Sequence, residues 1–261
     1  LTVVGPQSKV VLVTGGSGGL GRAIAGSFVR AGFSVVVTSR SAESLGAAAQ
    51  EISSDGDAAL ALSCDIAQKE QVEALRQKIR SERGIVQILV NNAGLAQAAS
   101  FLNMDDKLWD ETLKINLTGT YHCCKVFLPD MIAAGWGRII NIASTTAKVA
   151  YSHVTAYTAS KHGVLGLTRT LALETARLGV TVNAICPGYL NTERTRENAH
   201  RMAEKTGRNA QDILDVFARS SPQKRLIEPE EVANLALLLA SDSMSGMTGQ
   251  AINVDGGAVM V

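Results

Sequence analysis

The amino-acid sequence predicts an α/β fold: seven parallel strands in one doubly wound sheet, with helices on both faces. Three observations carry that expectation. Short β-branched runs alternate with longer stretches of helical spacing along the 261 residues, and such alternation demands crossover connections and hence parallel pairing. The first run, Lys9 to Thr14, is almost continuously apolar, as a strand covered on both faces has to be. A glycine cluster follows it directly, at the strand end where open α/β sheets bind ligands.

The elements follow in order. Leu20 to Ala31 carries apolar residues at helical spacing, with Gly32 as its C-terminal cap. Val35 to Thr38 is the second strand and Ala42 to Ile52 the second helix. Ala59 to Ser63 is the third strand, and Lys69 to Glu82 a charged, amphipathic helix. Val86 to Asn91 and Arg138 to Ala143 repeat the strand signal on either side of a long helical stretch, Asp105 to Ala134. Thr155 to Leu178 reads as helix, Val180 to Ile185 as strand, Pro229 to Ser241 as helix and Gln250 to Val254 as the last strand. No linker or break in composition divides the chain, so residues 1–261 are expected to form one domain. Residues 189–225 interrupt the alternation. They are polar and rich in arginine, and are expected to form a substrate lid, parts of which, such as Ala210 to Ala218, form short helices.

Composition excludes several classes of function. Apolar residues make up 46% and charged residues 19%, enough to bury a core and too apolar for disorder. With 25 Lys+Arg against 24 Asp+Glu, the chain has no electrostatic footprint for nucleic acid or an anionic membrane. Its apolar runs are too short to span a bilayer, and no basic stretch leads into an apolar one near Leu1, so a cytoplasmic protein without a signal peptide is expected. Cys64, Cys123, Cys124 and Cys186 form no C-x-x-C pair and read as reduced, buried thiols. The four histidines have no metal-site spacing.

Gly15, Ser17, Gly18, Gly19, Leu20 and Gly21 lie between the first strand and the first helix. Glycines there allow a tight turn and bring backbone N–H groups to a pyrophosphate at the helix N-terminus. The Lys-Ser/Thr pair of a P-loop is missing, which argues against ATP hydrolysis. A site for NAD places an acid at the end of the second strand. Here that place reads Thr38-Ser39-Arg40-Ser41. Arg40 offers a guanidinium for a 2′-phosphate, with Ser39 and Ser41 as additional donors, so NADP(H) is preferred over NAD; the alternative is a solvent-exposed strand-end arginine. Further along, Tyr157 and Lys161 are four apart and share a helix face. A tyrosine with an ordinary pKa of about 10 needs roughly 4 kcal/mol in favour of its phenolate to titrate near neutrality. An ammonium about 4 Å away supplies about that much at an effective dielectric near 20.

Together these motifs resemble the short-chain dehydrogenase/reductase family, in its shorter branch, over essentially the whole chain. The resemblance rests on T-G-x-x-x-G-x-G at Thr14 to Gly21, Asp65 after the third strand, and N-N-A-G at Asn91 to Gly94. It continues with Asn116, Ser144, Y-x-x-x-K at Tyr157 to Lys161, and Pro187-Gly188. It implies a Rossmann fold and an oxidoreductase moving a hydride between NADP(H) and a ketone or secondary alcohol. Tyr157 would be the acid or base, Ser144 would hold the substrate oxygen, Lys161 would lower the tyrosine pKa and hold the ribose, and Asn116 would keep a relay water. Asp65 and Ile66 would meet the adenine, Asn92, Ala93 and Gly94 the adenosine side, Pro187 and Gly188 the nicotinamide, and Thr192 its carboxamide.

Several stretches look like 3-oxoacyl carrier-protein reductases and polyketide ketoreductases, implying a 3-oxoacyl thioester or polyketide-like ketone as substrate. The carrier protein itself is then a possible partner, and a homotetramer packed through the two long helices is expected. The lid resembles that of 3-hydroxybutyrate dehydrogenases, but Val154 stands where that subgroup has its substrate-binding lysine. The enzyme alternative is an NAD-dependent dehydrogenase of a hydroxyacyl thioester, hydroxysteroid or other secondary alcohol. An inactive redox sensor or scaffold is the remote one. Candidate substrate contacts are Gln97, Thr145, Lys148, His153, Tyr189 and Arg194.

Overall fold

A computed structural model describes residues 9–53 and 59–261; residues 1–8 and 54–58 of the expected domain lie outside the described residues. The strands are β1 (Val10–Thr14), β2 (Ser34–Ser39), β3 (Ala59–Ser63), β4 (Val86–Asn91), β5 (Gly137–Ile142), β6 (Val180–Pro187) and β7 (Ala251–Val254). They form one sheet in the order β3-β2-β1-β4-β5-β6-β7, every pair parallel. The order turns back between β1 and β4, so their carboxyl ends open the crevice in which such sheets bind dinucleotides.

Residues of β1 alternate between the two faces, as the period of a strand requires. Val11 and Val13 pack with Ile24 and Phe28 of α1 (Gly19–Arg30) and with Val232, Ala236 and Leu239 of α9 (Pro229–Leu239). Val10 and Leu12 face the other layer. There they meet Leu75 and Ile79 of α3 (Lys69–Glu82) and Phe127 and Met131 of α5 (Gly119–Ala133). The strand is buried throughout, which explains its unbroken apolar sequence. The shorter helix α2 (Ala42–Ile52) begins at Ser41, whose hydroxyl accepts from Ser44 N.

Two stretches differ from the sequence expectation. The long helix is divided: α4 (Asp106–Leu113) passes into a π-helical turn, Lys114–Thr118, and on into α5. No residue type in that stretch forbids ordinary helix, so the sequence carries no sign of the extra residue per turn. Residues 189–225, where short helices such as Ala210 to Ala218 are expected, contain two helices: the long α7 (Glu193–Thr206) and α8 (Ala210–Arg219). The second matches the expected Ala210 to Ala218. The first was hidden because Ala199 is its one buried residue, leaving no apolar stripe to read. Its ends are nonetheless conventional, with Thr192 Oγ1 accepting from Thr195 N and Gly207 closing the helix at φ +69°. Ala199, Ile213 and Phe217 give the lid a small core of its own.

Candidate active site

The crevice is built around the turn after β1. Thr14 Oγ1 accepts from the backbone N–H groups of Asn92 and Ala93 at 3.0 and 3.1 Å. Asn92 Nδ2 in return donates to the carbonyls of Thr14 and Gly15. Asn92 therefore clamps the turn, a backbone task that its place in the N-N-A-G motif does not reveal. Gly15 has φ +66°, and a Cβ there would lie 2.8 Å from Ala93 Cα; a Cβ on Gly21 would lie 2.2 Å from Gly15 O. Helix α1 then starts at Gly18 with no side-chain cap and no acid in its first turn. Its first N–H groups are left to an anion. Ser17 and Gly18 form the tip of the turn, with Gly18 exposed, and Leu20 is partly buried against the core. A Cβ on Gly19 would sit 3.4 Å from Thr192, so the start of the lid lies against this loop. These features fit a dinucleotide diphosphate.

At the end of β2, Arg40 is exposed and its guanidinium makes no hydrogen bond or ion pair among the described residues. Ser39 Oγ donates to Ser41 O, and Ser41 caps α2, so these serines shape the turn that presents Arg40. After β3, Asp65 Oδ1 accepts from Ala67 N, and Gln71 Oε1 accepts from Asp65 N. The loop is pinned while Asp65 keeps its other oxygen. Asp65 is not the cap of α3; Gln68 occupies that position. Ile66 is buried, filling the space that Gly119 leaves, where a Cβ would lie 2.7 Å from Ile66 Cδ1. Pro187 ends β6, and Gly188 N donates to Val254 O.

The four expected catalytic residues converge at the carboxyl ends of β4, β5 and β6. Asn116 lies in the π-helical turn, buried. Its Oδ1 accepts from Leu95 N at 2.7 Å, and its Nδ2 donates to Leu95 O and to Ser160 Oγ. Both amide donors are thus spent on fixing the loop after β4 to α6 (Thr155–Thr175). Its backbone carbonyl accepts from Thr120 Oγ1 at 2.7 Å. Ser144, just past β5, accepts from Thr146 N and is hydrogen-bonded to Tyr157. Lys161 Nζ is buried and donates to Ile142 O at 2.7 Å, and it stands 5.6 Å from the centroid of the Tyr157 ring.

Electrostatics separate the two titrating residues. Burial raises the Tyr157 phenol above its ordinary value; the Ser144 hydrogen bond and the Arg194 charge pull it back, while Cys186 and Tyr189 push it up. Burial lowers Lys161 to about 8, since removal from water disfavours the ammonium. The Lys161 ammonium, near the phenol as the spacing requires, spends one proton on Ile142 O.

The expected substrate residues divide. Thr145 is buried, accepting from Tyr151 Oη at 3.4 Å. Tyr189 lies past β6, its ring stacked on Phe217 of α8 at 4.3 Å between centroids. Arg194, in the first turn of α7, reaches across to Gly94 and donates from Nη1 to its carbonyl at 2.9 Å. Gln97 is exposed on the loop after β4. Lys148 is engaged through its Nζ, which donates to the carbonyls of Ala251 and Val261. His153 is exposed at φ +66°, and it is its backbone carbonyl that serves, accepting from Ala99 N. Thr14, Ser160, Tyr151 and Phe217 are contributors that the sequence reading gave no role. Only Thr14 carried a signal, as the last strand residue before the glycines. Among the described residues no group of acids, histidines and cysteines could hold a metal ion, and no helix is long and apolar enough to cross a membrane.

Comparison with known proteins agrees with this geometry. A family model described as short chain dehydrogenase matches residues 9–203. D-beta-hydroxybutyrate dehydrogenase of Rhizobium meliloti is 35% identical over 96% of this chain and 98% of its own. The solved structure of an actinorhodin polyketide ketoreductase with NADPH is 36% identical, covers 96% of this chain and 97% of its own, and superposes with a TM-score of 0.93. L-sorbose reductase from Gluconobacter frateurii, complexed with NADPH and L-sorbose, gives a TM-score of 0.93 at 30% identity, with 99% of each chain covered.

Proposed function

We propose, for a chain that belongs to the short-chain dehydrogenase family and is an oxidoreductase, that it uses NADPH to reduce a ketone, a 3-oxoacyl thioester or a polyketide-like ketone. The observation that carries this reading is the pairing of Tyr157 with Ser144 at the sheet's carboxyl edge. Burial holds the phenol above its ordinary pKa, so at neutral pH it keeps its proton and is ready to act as an acid. The nicotinamide supplies the hydride when the cofactor is bound. Tyr157 Oη gives its proton to the carbonyl oxygen, which Ser144 Oγ steadies by a hydrogen bond as negative charge gathers there. Lys161 holds the ribose. Asn116 spends both side-chain N–H donors on Leu95 O and Ser160 Oγ and so fixes the loop after β4 to α6 beside Tyr157.

Preference for NADP rests on Arg40, which is exposed and, among the described residues, without a side-chain partner at the end of β2, where an NAD site would carry an acid. The α1 N-terminus receives the diphosphate. The relatives named above support a ketone substrate, two being reductases solved with NADPH. The hydroxybutyrate dehydrogenase supports the reverse reaction, oxidation of a secondary alcohol, as the second reading. Oxidation of NADPH and of NADH with acetoacetyl thioester separates the two. We expect kcat/KM to favour NADPH by about tenfold or more, with Arg40→Asp reversing the order. Equal NADPH affinity before and after that substitution would overturn the cofactor assignment.

A further inference from the structure

Four of the lid arginines have partners within the lid or just after it. Arg196 donates to Asn191 Oδ1, Arg201 to Asn198 Oδ1, Arg219 pairs with Asp215 and Arg225 with Glu231. Arg194 behaves differently. Its guanidinium crosses the cleft to the opposite wall and donates to Gly94 O, 100 residues away. Gly94 adjoins the expected catalytic group, since a Cβ there would lie 3.3 Å from Asn116 Oδ1 and 3.8 Å from Lys161 Nζ. The guanidinium and the Lys161 ammonium therefore flank the same glycine. Helix α7 also leans on the glycine loop through Thr192 beside Gly19, so its first turn touches both walls.

We propose that Arg194 is a positioning residue carried by the lid, which sets a second positive charge beside Tyr157 when its guanidinium is docked on Gly94. This rests on the reading of Tyr157 as acid and base. The groups facing Tyr157 are Ser144 after β5, Lys161 on its own helix, Cys186 of β6, Tyr189 beyond it and Arg194. Among the described residues none of these is a carboxylate. Arg194 accordingly acts on the phenol and the ammonium alike, favouring the phenolate and opposing the charge on Lys161. The guanidinium is exposed, so water screens it and weakens its effect. The consequence is a coupling of proton transfer to lid position. With Arg194 docked, the proton that Tyr157 Oη exchanges with the substrate oxygen leaves more easily, and with the lid open that help is lost.

The test needs no substrate. The ultraviolet phenolate absorbance of Tyr157, isolated by subtracting a Tyr157→Phe protein, is titrated with and without saturating NADP in Arg194→Met, Arg194→Lys and Arg196→Met. The expected result is a midpoint raised by about one unit in Arg194→Met, recovered in large part by Arg194→Lys and unchanged in Arg196→Met. In alcohol oxidation with 3-hydroxybutyryl thioester, where Tyr157 serves as the base, the acidic limb of the kcat profile should move up by the same amount. An unmoved midpoint in Arg194→Met would overturn the inference, as would equal shifts in the Met and Lys variants or an equal shift in Arg196→Met. A wild-type protein inert toward the thioester counts against the substrate reading and leaves the titration to decide the role of Arg194.

Discussion

Lys161 carries an ammonium into a site where only 5% of the residue is exposed, with Ile142 O at 2.7 Å as its hydrogen-bond partner. Its pKa falls from 10.5 to about 8. Between those values the unfolded chain binds a proton that the folded one does not, so this group's contribution to stability rises with pH across that window. At neutral pH the charged lysine costs about 3 kcal/mol relative to an unperturbed one. Losing the hydrogen bond to Ile142 O costs about 1 kcal/mol against the gain from removing that charge. Lys161→Met should therefore raise stability by about 2 kcal/mol at pH 7 and by less at pH 10, while abolishing turnover. Thermal melts of both proteins at the two pH values check this. A destabilised variant at pH 7 would mean that the ammonium is solvated better than its burial implies.

At the scale of elements, two glycines in helices make opposite predictions. Gly21→Ala puts a Cβ 2.2 Å from Gly15 O, and backbone cannot retreat as a flexible side chain would. It should cost at least about 3 kcal/mol and loosen the diphosphate site. Gly46 in α2 has nothing within 4 Å, so Gly46→Ala should stabilise by roughly 0.5–1 kcal/mol. Denaturant melts read both. The same contrast governs what the sequence disclosed. Strands β1, β2 and β4 were legible because they are buried on both faces, and the glycine loop because its spacing has one structural use. Helix α7 was not, since its packing needs only Ala199, nor was the π-helical turn that aims Asn116 at Leu95 and Ser160. Motif spacing named Ser144, Tyr157 and Lys161 correctly as neighbours. It did not show that Lys148 Nζ donates to the carbonyls of Ala251 and Val261.

Over the whole molecule, the sheet order brings the loops after β1, β4, β5 and β6 to one edge, and residues 189–225 reach them through Thr192 beside Gly19 and Arg194 on Gly94 O. The outer surface of the helical layer is less complete. On α6, Leu173 is 83% exposed, and Tyr121 of α5 is 46% exposed. The homotetramer implied by the family resemblance would cover such residues. Sedimentation equilibrium should give four chains for the wild type and a smaller species for Leu173→Glu; a wild-type monomer would contradict it. If Tyr157 is the proton donor of a dinucleotide-dependent reductase, removing its hydroxyl in Tyr157→Phe is the sharpest probe of that role. With NADPH binding followed by fluorescence and turnover by acetoacetyl thioester reduction, NADPH affinity should stay within about twofold while kcat falls by about 10²- to 10⁴-fold. Full turnover by the Tyr157→Phe protein would contradict the account.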